Sequence, residues 1–289
     1  MKNAIVLLFA FIFLFTSLNA QKLYGTFEDD YDFDMFDWDF RNPTIEVNYG
    51  NSYLKHKTFD GKFSMAGLTE IRLGYNKTDD YEDIPYIKEF SERVLILSNK
   101  STEISGKSNE MNKYKSDTWM AGFGTFDGYG YQAGGLVIIP YNGDSFIWTK
   151  FNSADLSPET ENVIAEKPLL RFNNAIRFGT ASEAGIRLQP LPFLSVNAAF
   201  ETNVVFPRHL FWKHLISGLI ELGSQSVADK FVEKIMDSSP AAGPIVSFVL
   251  KTGISYGFYK LKQEKMNWPF KTETPLTFEN FKIGMSFTF

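Results

Sequence analysis

The fold of this chain is decided by the stretch Phe281-Lys282-Ile283-Gly284-Met285-Ser286-Phe287-Thr288-Phe289. Its odd-numbered positions are aromatic or aliphatic, and its even-numbered positions are small, polar or charged. A period of two residues is typical of a β-strand whose two faces meet different surroundings. The stretch therefore predicts a strand with one face that is wholly apolar.

The pattern resembles the closing strand of Gram-negative outer-membrane β-barrels, whose final aromatic residue belongs to the signal read by the barrel-insertion machinery. The residues that carry this resemblance are Phe281, Ile283, Met285, Phe287 and Phe289. The resemblance implies that these five residues form a barrel-assembly signal. It also implies a place in the outer membrane of a Gram-negative bacterium, with outer-membrane lipids and the barrel-insertion machinery as partners.

The opposite end of the chain supports export. Met1-Lys2-Asn3 gives a short positive start, residues 4–15 are almost wholly apolar, and small residues follow up to Ala20. The apolar run is shorter than the ~20 residues that a helix needs to cross hydrocarbon. We therefore predict a secretory signal peptide over residues 1–20, cleaved after Ala20.

Composition narrows the class of protein further. The formal net charge of −5 argues against a nucleic-acid partner, which requires a basic surface. The chain has no cysteine, so disulfides and thiolate metal sites are excluded. Aromatic residues reach 16%, although the mean hydropathy is only −0.17. A transmembrane barrel combines these properties because its apolar residues alternate with polar ones.

Alternation of the same kind recurs along the chain. Strands are predicted over residues 43–50, 64–76, 93–99, 118–126, 129–140, 145–151, 170–179, 184–189 and 193–206, and one more within 253–261. The predicted fold is all-β with a helical insert: an antiparallel transmembrane β-barrel of roughly 10–12 strands over residues 43–289. Asn142-Gly143-Asp144 predicts a tight turn, and residues 79–91, 100–117 and 152–167 predict long external loops.

Charged residues fall on the strand faces opposite the apolar stripe. In a membrane barrel that face lines the lumen, where opposite charges can pair across strands. In a soluble β-sandwich it would be the solvent-exposed outer face, and the alternation alone leaves both open. In the barrel interpretation the lumen-facing charged candidates are Glu46, Glu70, Arg72, Arg171, Arg177, Arg187, Glu201 and Lys282.

Two segments depart from the strand pattern. Residues 21–42 form an acidic and aromatic N-terminal arm, and residues 207–250 form an amphipathic helical insert with a predicted break at 223–226. The insert could plug the lumen, lie on the membrane surface or pack on the periplasmic rim. Residues 241–261 fit either a helix or a strand.

Signals for an enzyme are weak. His56, His209 and His214 do not form the i, i+4 pair of a zinc-binding helix, and the sequence contains no nucleophile-elbow, P-loop or dinucleotide-binding motif. The acidic run in the arm lacks the turn glycine and distal glutamate of an EF-hand loop. We predict no catalytic residues, no metal site and no cofactor.

Three functions fit these features. The first is a pore or transporter for small solutes, with the helical insert as a plug or rim. The second is a membrane-anchored structural or assembly protein that presents the insert and the acidic arm to a periplasmic or surface partner. The third is a soluble periplasmic ligand-binding β-sandwich.

Overall fold

The computed structural model describes residues 42–82, 84–105, 113–156 and 163–289. The predicted signal peptide, and all but Asn42 of the predicted arm, lie outside these ranges. The strands are β1 (Asn42–Lys55), β2 (Lys62–Phe63), β3 (Ala66–Tyr81), β4 (Ile84–Ser101), β5 (Lys113–Tyr114), β6 (Asp117–Ala133), β7 (Leu136–Asn152), β8 (Ile176–Leu191), β9 (Leu194–Val205) and β10 (Leu276–Thr288). The helices are α1 (Val163–Leu170), α2 (Phe211–Ser238) and α3 (Gly243–Lys262).

Eight strands form one closed antiparallel barrel in the order β1-β10-β9-β8-β7-β6-β4-β3. The last strand, β10, pairs with β1 and closes the sheet. The short strands β2 and β5 form a separate two-stranded parallel pair. The predicted β-barrel with a helical segment before its last strand is thus confirmed. A single sheet that closes on itself also shows that the β-sandwich alternative is wrong.

The strand register fixes the width of the barrel. One row of backbone partners runs Thr44, Gly74, Val94, Gly124, Ser145, Ala181, Asn203, Phe278 and back to Leu54. The row returns to β1 ten residues from its start, since 54 − 44 = 10. Closure with a stagger of this kind requires tilted strands, and eight strands leave an interior just wide enough for side chains to fill.

The two ends of the barrel differ in their connections. The hairpins β3–β4, β6–β7 and β8–β9 turn at the end of the barrel where β1 begins and β10 ends, which we call the short-turn end. Strands β1, β4, β7 and β9 end, and strands β3, β6, β8 and β10 begin, at the opposite end, which we call the long-loop end. The described residues of the predicted loops 100–117 and 152–167 lie mostly between strands that end and begin there, and residues 106–112 and 157–162 lie outside the described residues. The loop predicted over 79–91 is wrong, because its polar residues pair across the β3–β4 hairpin, as in the ion pair of Lys88 with Asp80.

The barrel contains eight strands rather than the roughly ten to twelve predicted. Predicted strands 145–151 and 184–189 are the second halves of β7 and β8, which begin earlier in the chain. Residues 118–126 join the start of 129–140 in β6. Residues 253–261 belong to α3. The count was too high because polar or glycine-rich stretches inside long strands were interpreted as breaks.

The predicted turn at Asn142-Gly143-Asp144 is one of these stretches. The three residues lie within β7, and the actual hairpin turn is Gly134-Gly135, where Gly134 has a φ of +64°. Gly143 faces the interior, and a Cβ there would lie 2.1 Å from the ring of Phe126. Glycine at this position therefore makes room for an aromatic ring inside the barrel.

The helical insert is a hairpin of two helices. The serines at 224 and 226, within the predicted break, each donate a hydrogen bond to a carbonyl oxygen four residues earlier, and α2 continues through them. The ambiguous residues 241–261 are helical from Gly243, with Pro244 in the first turn, where proline is favoured. No helix in the described ranges is both long and apolar enough to cross a membrane.

Candidate functional site: the barrel interior and the helix-covered wall

Most of the charged residues predicted to face a lumen are buried in the barrel interior. Six of the eight candidates lie there, almost inaccessible to solvent: Glu46, Glu70, Arg72, Arg187, Glu201 and Lys282. Alternation explains their position. Lys282 is 0% exposed, whereas its neighbours Phe281 and Ile283 on the outer face are 49% and 53% exposed.

Arg171 and Arg177 lie elsewhere. Arg171 precedes β8 and forms an ion pair of 2.5 Å with Glu273 outside the interior. Arg177 lies at the long-loop end of β8, where its Nε donates a hydrogen bond of 3.0 Å to the carbonyl oxygen of Arg171. Arg171 is not part of the strand, because β8 begins at Ile176 and not at residue 170 as predicted, and Arg177 lies at the very start of β8, away from the interior cluster.

Lys282 lies at the centre of the interior cluster. Its ammonium nitrogen is 2.8 Å from a carboxylate oxygen of Glu70, 2.8 Å from one of Glu183 and 2.5 Å from one of Glu201. Three carboxylates from three different strands thus share one cation. Such short charge-assisted contacts are the strongest class of protein hydrogen bond.

Arg72 connects two of the same carboxylates. Its Nε donates to Glu70 at 2.8 Å, and its NH2 nitrogen contacts Glu183 at 2.5 Å. Its NH1 nitrogen lies 3.4 Å from Glu46. The guanidinium also stacks over the ring of Phe126 at 4.5 Å. The rigid fork of an arginine suits such a multiple contact.

Two further cations extend the network toward its ends. Arg187 lies 3.5 Å from Glu92 and 3.7 Å from Glu46, and Lys100 lies 3.8 Å from Glu201. Each of these cations also lies within 5 Å of an aromatic ring centroid. The charges are therefore compensated by carboxylates on one side and by ring faces on the other.

Glu92, Lys100 and Glu183 belong to the network although they were not among the sequence candidates. Glu92 and Lys100 flank the predicted strand 93–99, and Glu183 falls between two predicted strands. Extending the two-residue period beyond these strand ends would have identified all three. With them, the buried interior holds five acidic and four basic side chains.

An apolar layer closes the interior at the long-loop end. The strand residues Leu54, Phe151 and Phe278 belong to one buried cluster with Phe59 and Phe172 from the loops. An eight-stranded barrel is just wide enough for its own side chains to fill its interior, and the charged middle and this apolar layer occupy two successive levels of it. The interior is thus occupied by buried charged side chains in its middle and by buried apolar side chains at the long-loop end.

A cleft of about 480 Å³ opens beside this layer. It is lined in part by His56, whose imidazole packs edge-on against Phe172 at 5.9 Å. Burial lowers the pKa of His56 below its usual value of 6.5, so the ring is neutral at pH 7. Lys55 and Lys57 on the rim each form an ion pair with a glutamate. Among the described residues, no group of three or more His, Asp or Glu side chains could hold a metal ion.

The hairpin α2–α3 packs on the outside of the barrel wall, and not in any of the three positions considered from the sequence. On α3, Lys251 pairs with Asp127 of β6 at 2.9 Å, and Thr252 accepts a hydrogen bond of 2.9 Å from Asn142 of β7. Tyr131, near the short-turn end, donates to the carbonyl oxygen of Ala241 at 2.6 Å. Helix α3 therefore runs along the wall from the short-turn end toward the long-loop end.

No protein-family model matches this chain, and no curated protein matches it in sequence. In structure it is similar to Neisserial surface protein A (NspA), with a TM-score of 0.37 and 7% identity, covering 86% of this chain and 97% of that one. It is also similar to Ail, the attachment invasion locus protein of Yersinia pestis, with a TM-score of 0.33, 10% identity and coverage of 86% and 99%. Ail in complex with the heparin analogue sucrose octasulfate gives a TM-score of 0.32, 10% identity and coverage of 86% and 100%.

The outer face of the barrel is apolar on several strands. It carries exposed apolar side chains on several strands, among them Ile45, Val47, Ile71, Leu73, Leu95, Leu97, Ile283 and Met285. A closed antiparallel sheet with an apolar exterior and a polar interior is the arrangement of transmembrane barrels. The chain thus has the fold of the outer-membrane β-barrel class that its terminal strand indicated.

Proposed function

We propose that this protein is a sealed outer-membrane barrel that does not conduct solutes. It anchors its acidic arm and the charged end of α2, residues 230–238, as docking surfaces for a periplasmic or surface partner. The observation that carries this proposal is the buried ion-pair network centred on Lys282. A second observation supports it, namely the apolar layer that closes the long-loop end.

Residence in the outer membrane is part of the proposal. The exposed apolar side chains of the barrel would contact lipid, since few polar groups compete for that surface on β1, β3 and β10. Phe281, Ile283, Met285, Phe287 and Phe289 would present the barrel-assembly signal to the insertion machinery. Short turns of such barrels face the periplasm, so β1, which the acidic arm precedes, would begin on the periplasmic side.

The energetics of the interior favour a closed state. A water-filled path would require side chains such as Lys282 or Arg72 to leave their carboxylates. Breaking one buried ion pair costs about 3–5 kcal/mol, and each 1.4 kcal/mol is about a factor of ten in population. A channel opened in this way would therefore be present in fewer than about one molecule in a hundred.

Conductance in planar bilayers tests the proposal. The protein is first refolded in detergent, and a shift in gel mobility between unheated and boiled samples shows that the barrel is closed. We expect no current steps from protein that shows this shift, while a general porin reconstituted in the same bilayers conducts. Current steps from the folded wild-type protein, altered in size by Arg72→Ala, would contradict the proposal and favour a pore or transporter.

A further inference from the structure

Six polar residues point outward from the part of the wall that the hairpin covers. They are Asp127 of β6, Asn142 and Asp144 of β7, Thr180 and Ser182 of β8, and Thr202 of β9. On strands β1, β3 and β10, by contrast, the outward positions are mostly apolar. Polar groups on the lipid face of a barrel are unfavourable unless they find a partner.

These polar residues lie at the same height as the apolar face. A stagger of ten residues over eight strands is a rise of 10/8 = 1.25 residues per strand. Val94 and Ser145 lie in the same row of backbone partners, two strands apart. Leu95 is the residue after Val94, and Asp144 is the residue before Ser145. Asp144 is therefore within about half a residue of the height of Leu95, which is 66% exposed.

Polar partners from the hairpin meet this strip of wall. Lys251 bridges Asp127 of the wall and Asp229 of α2 at 2.9 and 2.8 Å. Lys262 of α3 forms an ion pair with Glu221 of α2. Every charged side chain of the hairpin between residues 214 and 229 of α2 and between 243 and 259 of α3 therefore has a partner of opposite charge.

The opposite, outward face of the hairpin is apolar over a defined length. Between residues 211 and 227 of α2, the exposed apolar side chains are Phe211, Trp212, Ile216, Leu219, Leu222 and Val227, and the exposed charge is Lys213 at the start. Seventeen helical residues span about 25 Å, which equals the height of the apolar band of such barrels. Beyond Asp229, the exposed residues include Lys230, Glu233, Lys234 and Asp237.

We infer that the hairpin is an intramembrane part of the protein: it covers the polar strip of β6–β9, and its outward face lies in the hydrocarbon of the bilayer. The occupant of that face is lipid, because the apolar length of α2 matches the height of a barrel's apolar band and ends at Asp229, which Lys251 bridges to Asp127 of the wall. The charged end of α2 would then project beyond the band on the short-turn side. This inference rests on the proposed membrane residence.

Single cysteines in this cysteine-free chain test the inference. The hairpin variants are Leu222→Cys and Tyr256→Cys, the barrel reference is Leu95→Cys, and the aqueous reference is Asp237→Cys. Each variant is reconstituted in liposomes at a low ratio of protein to lipid. Its cysteine is labelled with an environment-sensitive dye in one sample and left unlabelled in another. We expect lipids brominated on their acyl chains to quench the dye at the two hairpin positions as strongly as at the barrel reference.

Reaction with a water-soluble maleimide gives a second readout. The thiolate is the reactive form, and hydrocarbon disfavours it, so the hairpin cysteines should react roughly tenfold or more slowly than Asp237→Cys. If the dye is quenched at Leu95→Cys but at neither hairpin position, the inference is overturned. This holds whether the hairpin cysteines react with maleimide as if in water or are protected from it by a second copy of the protein. Absence of quenching at Leu95→Cys would instead refute the proposed membrane residence.

Discussion

Replacing Lys282 by methionine tests whether the interior network holds the barrel together. Methionine keeps most of the length of the side chain but removes the charge that three carboxylates share at 2.5–2.8 Å. The interior would change from five acids and four bases to five acids and three bases. Because removing one partner leaves uncompensated buried charge, we expect Lys282→Met to lower the free energy of unfolding by about 3–5 kcal/mol.

Lys55→Met is the matched control. Lys55 also pairs with a glutamate, Glu279, but its side chain is 55% exposed. Exposed ion pairs contribute about 0–1 kcal/mol, so the same substitution should have little effect there. The assay is urea unfolding in lipid vesicles, followed by the fluorescence of the five tryptophans and by gel mobility. A loss in Lys282→Met no larger than that in Lys55→Met would refute the reasoning.

A double-mutant cycle separates the charge from the packing. Glu201→Gln removes one of the three carboxylates that contact Lys282 and leaves the shape of the side chain nearly unchanged. The double variant Lys282→Met/Glu201→Gln should be more stable than the sum of the two single changes predicts, by about 1–3 kcal/mol. Strict additivity would mean that Lys282 contributes through packing alone.

Three further changes test other parts of the structure. Gly143→Val should lower the yield of heat-modifiable barrel on refolding, because the valine side chain would overlap the interior ring of Phe126. Gly135→Ala should not lower it, because the space around Gly135 is open. Equal yields from the two variants would contradict the packing at β7. Lys251→Met should speed amide hydrogen exchange in α3, because Asp127 and Asp229 lose their shared partner, while Lys260→Met at the exposed end of the helix should not. Unchanged exchange in Lys251→Met would show that the contacts of Lys251 do not hold α3 on the wall. Burial holds the pKa of His56 below 6.5, so the contribution of its neutral ring to stability is complete above that pH and is lost as the pH falls. Between pH 7.5 and 5, the unfolding free energy of His56→Gln should therefore decline less than that of the wild type. Parallel curves for the two proteins would exclude this contribution.

The barrel could be predicted from the sequence because two-residue alternation is a local signal. Phe281 to Phe289 shows it without interruption, and the structure makes this stretch part of the closing strand. Strand ends were harder to place. Gly143 lies within a strand only because the ring of Phe126, from the neighbouring strand, needs the space. A sequence pattern contains no such information about a partner strand.

The interior site was predictable in part for the same reason. Glu70 and Arg72 are two positions apart in β3, so the alternation of one strand places both inside. Glu183 pairs with Arg72 across a sequence distance of 111 residues, and alternation cannot show which charges meet. The choice between a pore and a packed core depends on the register, which sets the width of the barrel, and the register is a property of all eight strands together.

The outward Asp127, Asn142 and Asp144 were the one sequence signal for the position of the hairpin. A strand of a membrane barrel should carry apolar residues on its lipid face, and β7 breaks this rule at two alternate positions. Such a break predicts that another element covers the wall at that height. The hairpin supplies the cover, because Lys251 and Thr252 meet this polar strip while the exposed residues of α2 between 214 and 227 carry no charge. A polar run on the lipid face of one strand and an amphipathic insert elsewhere in the chain are therefore explained together, because the insert packs on the wall and covers the polar run.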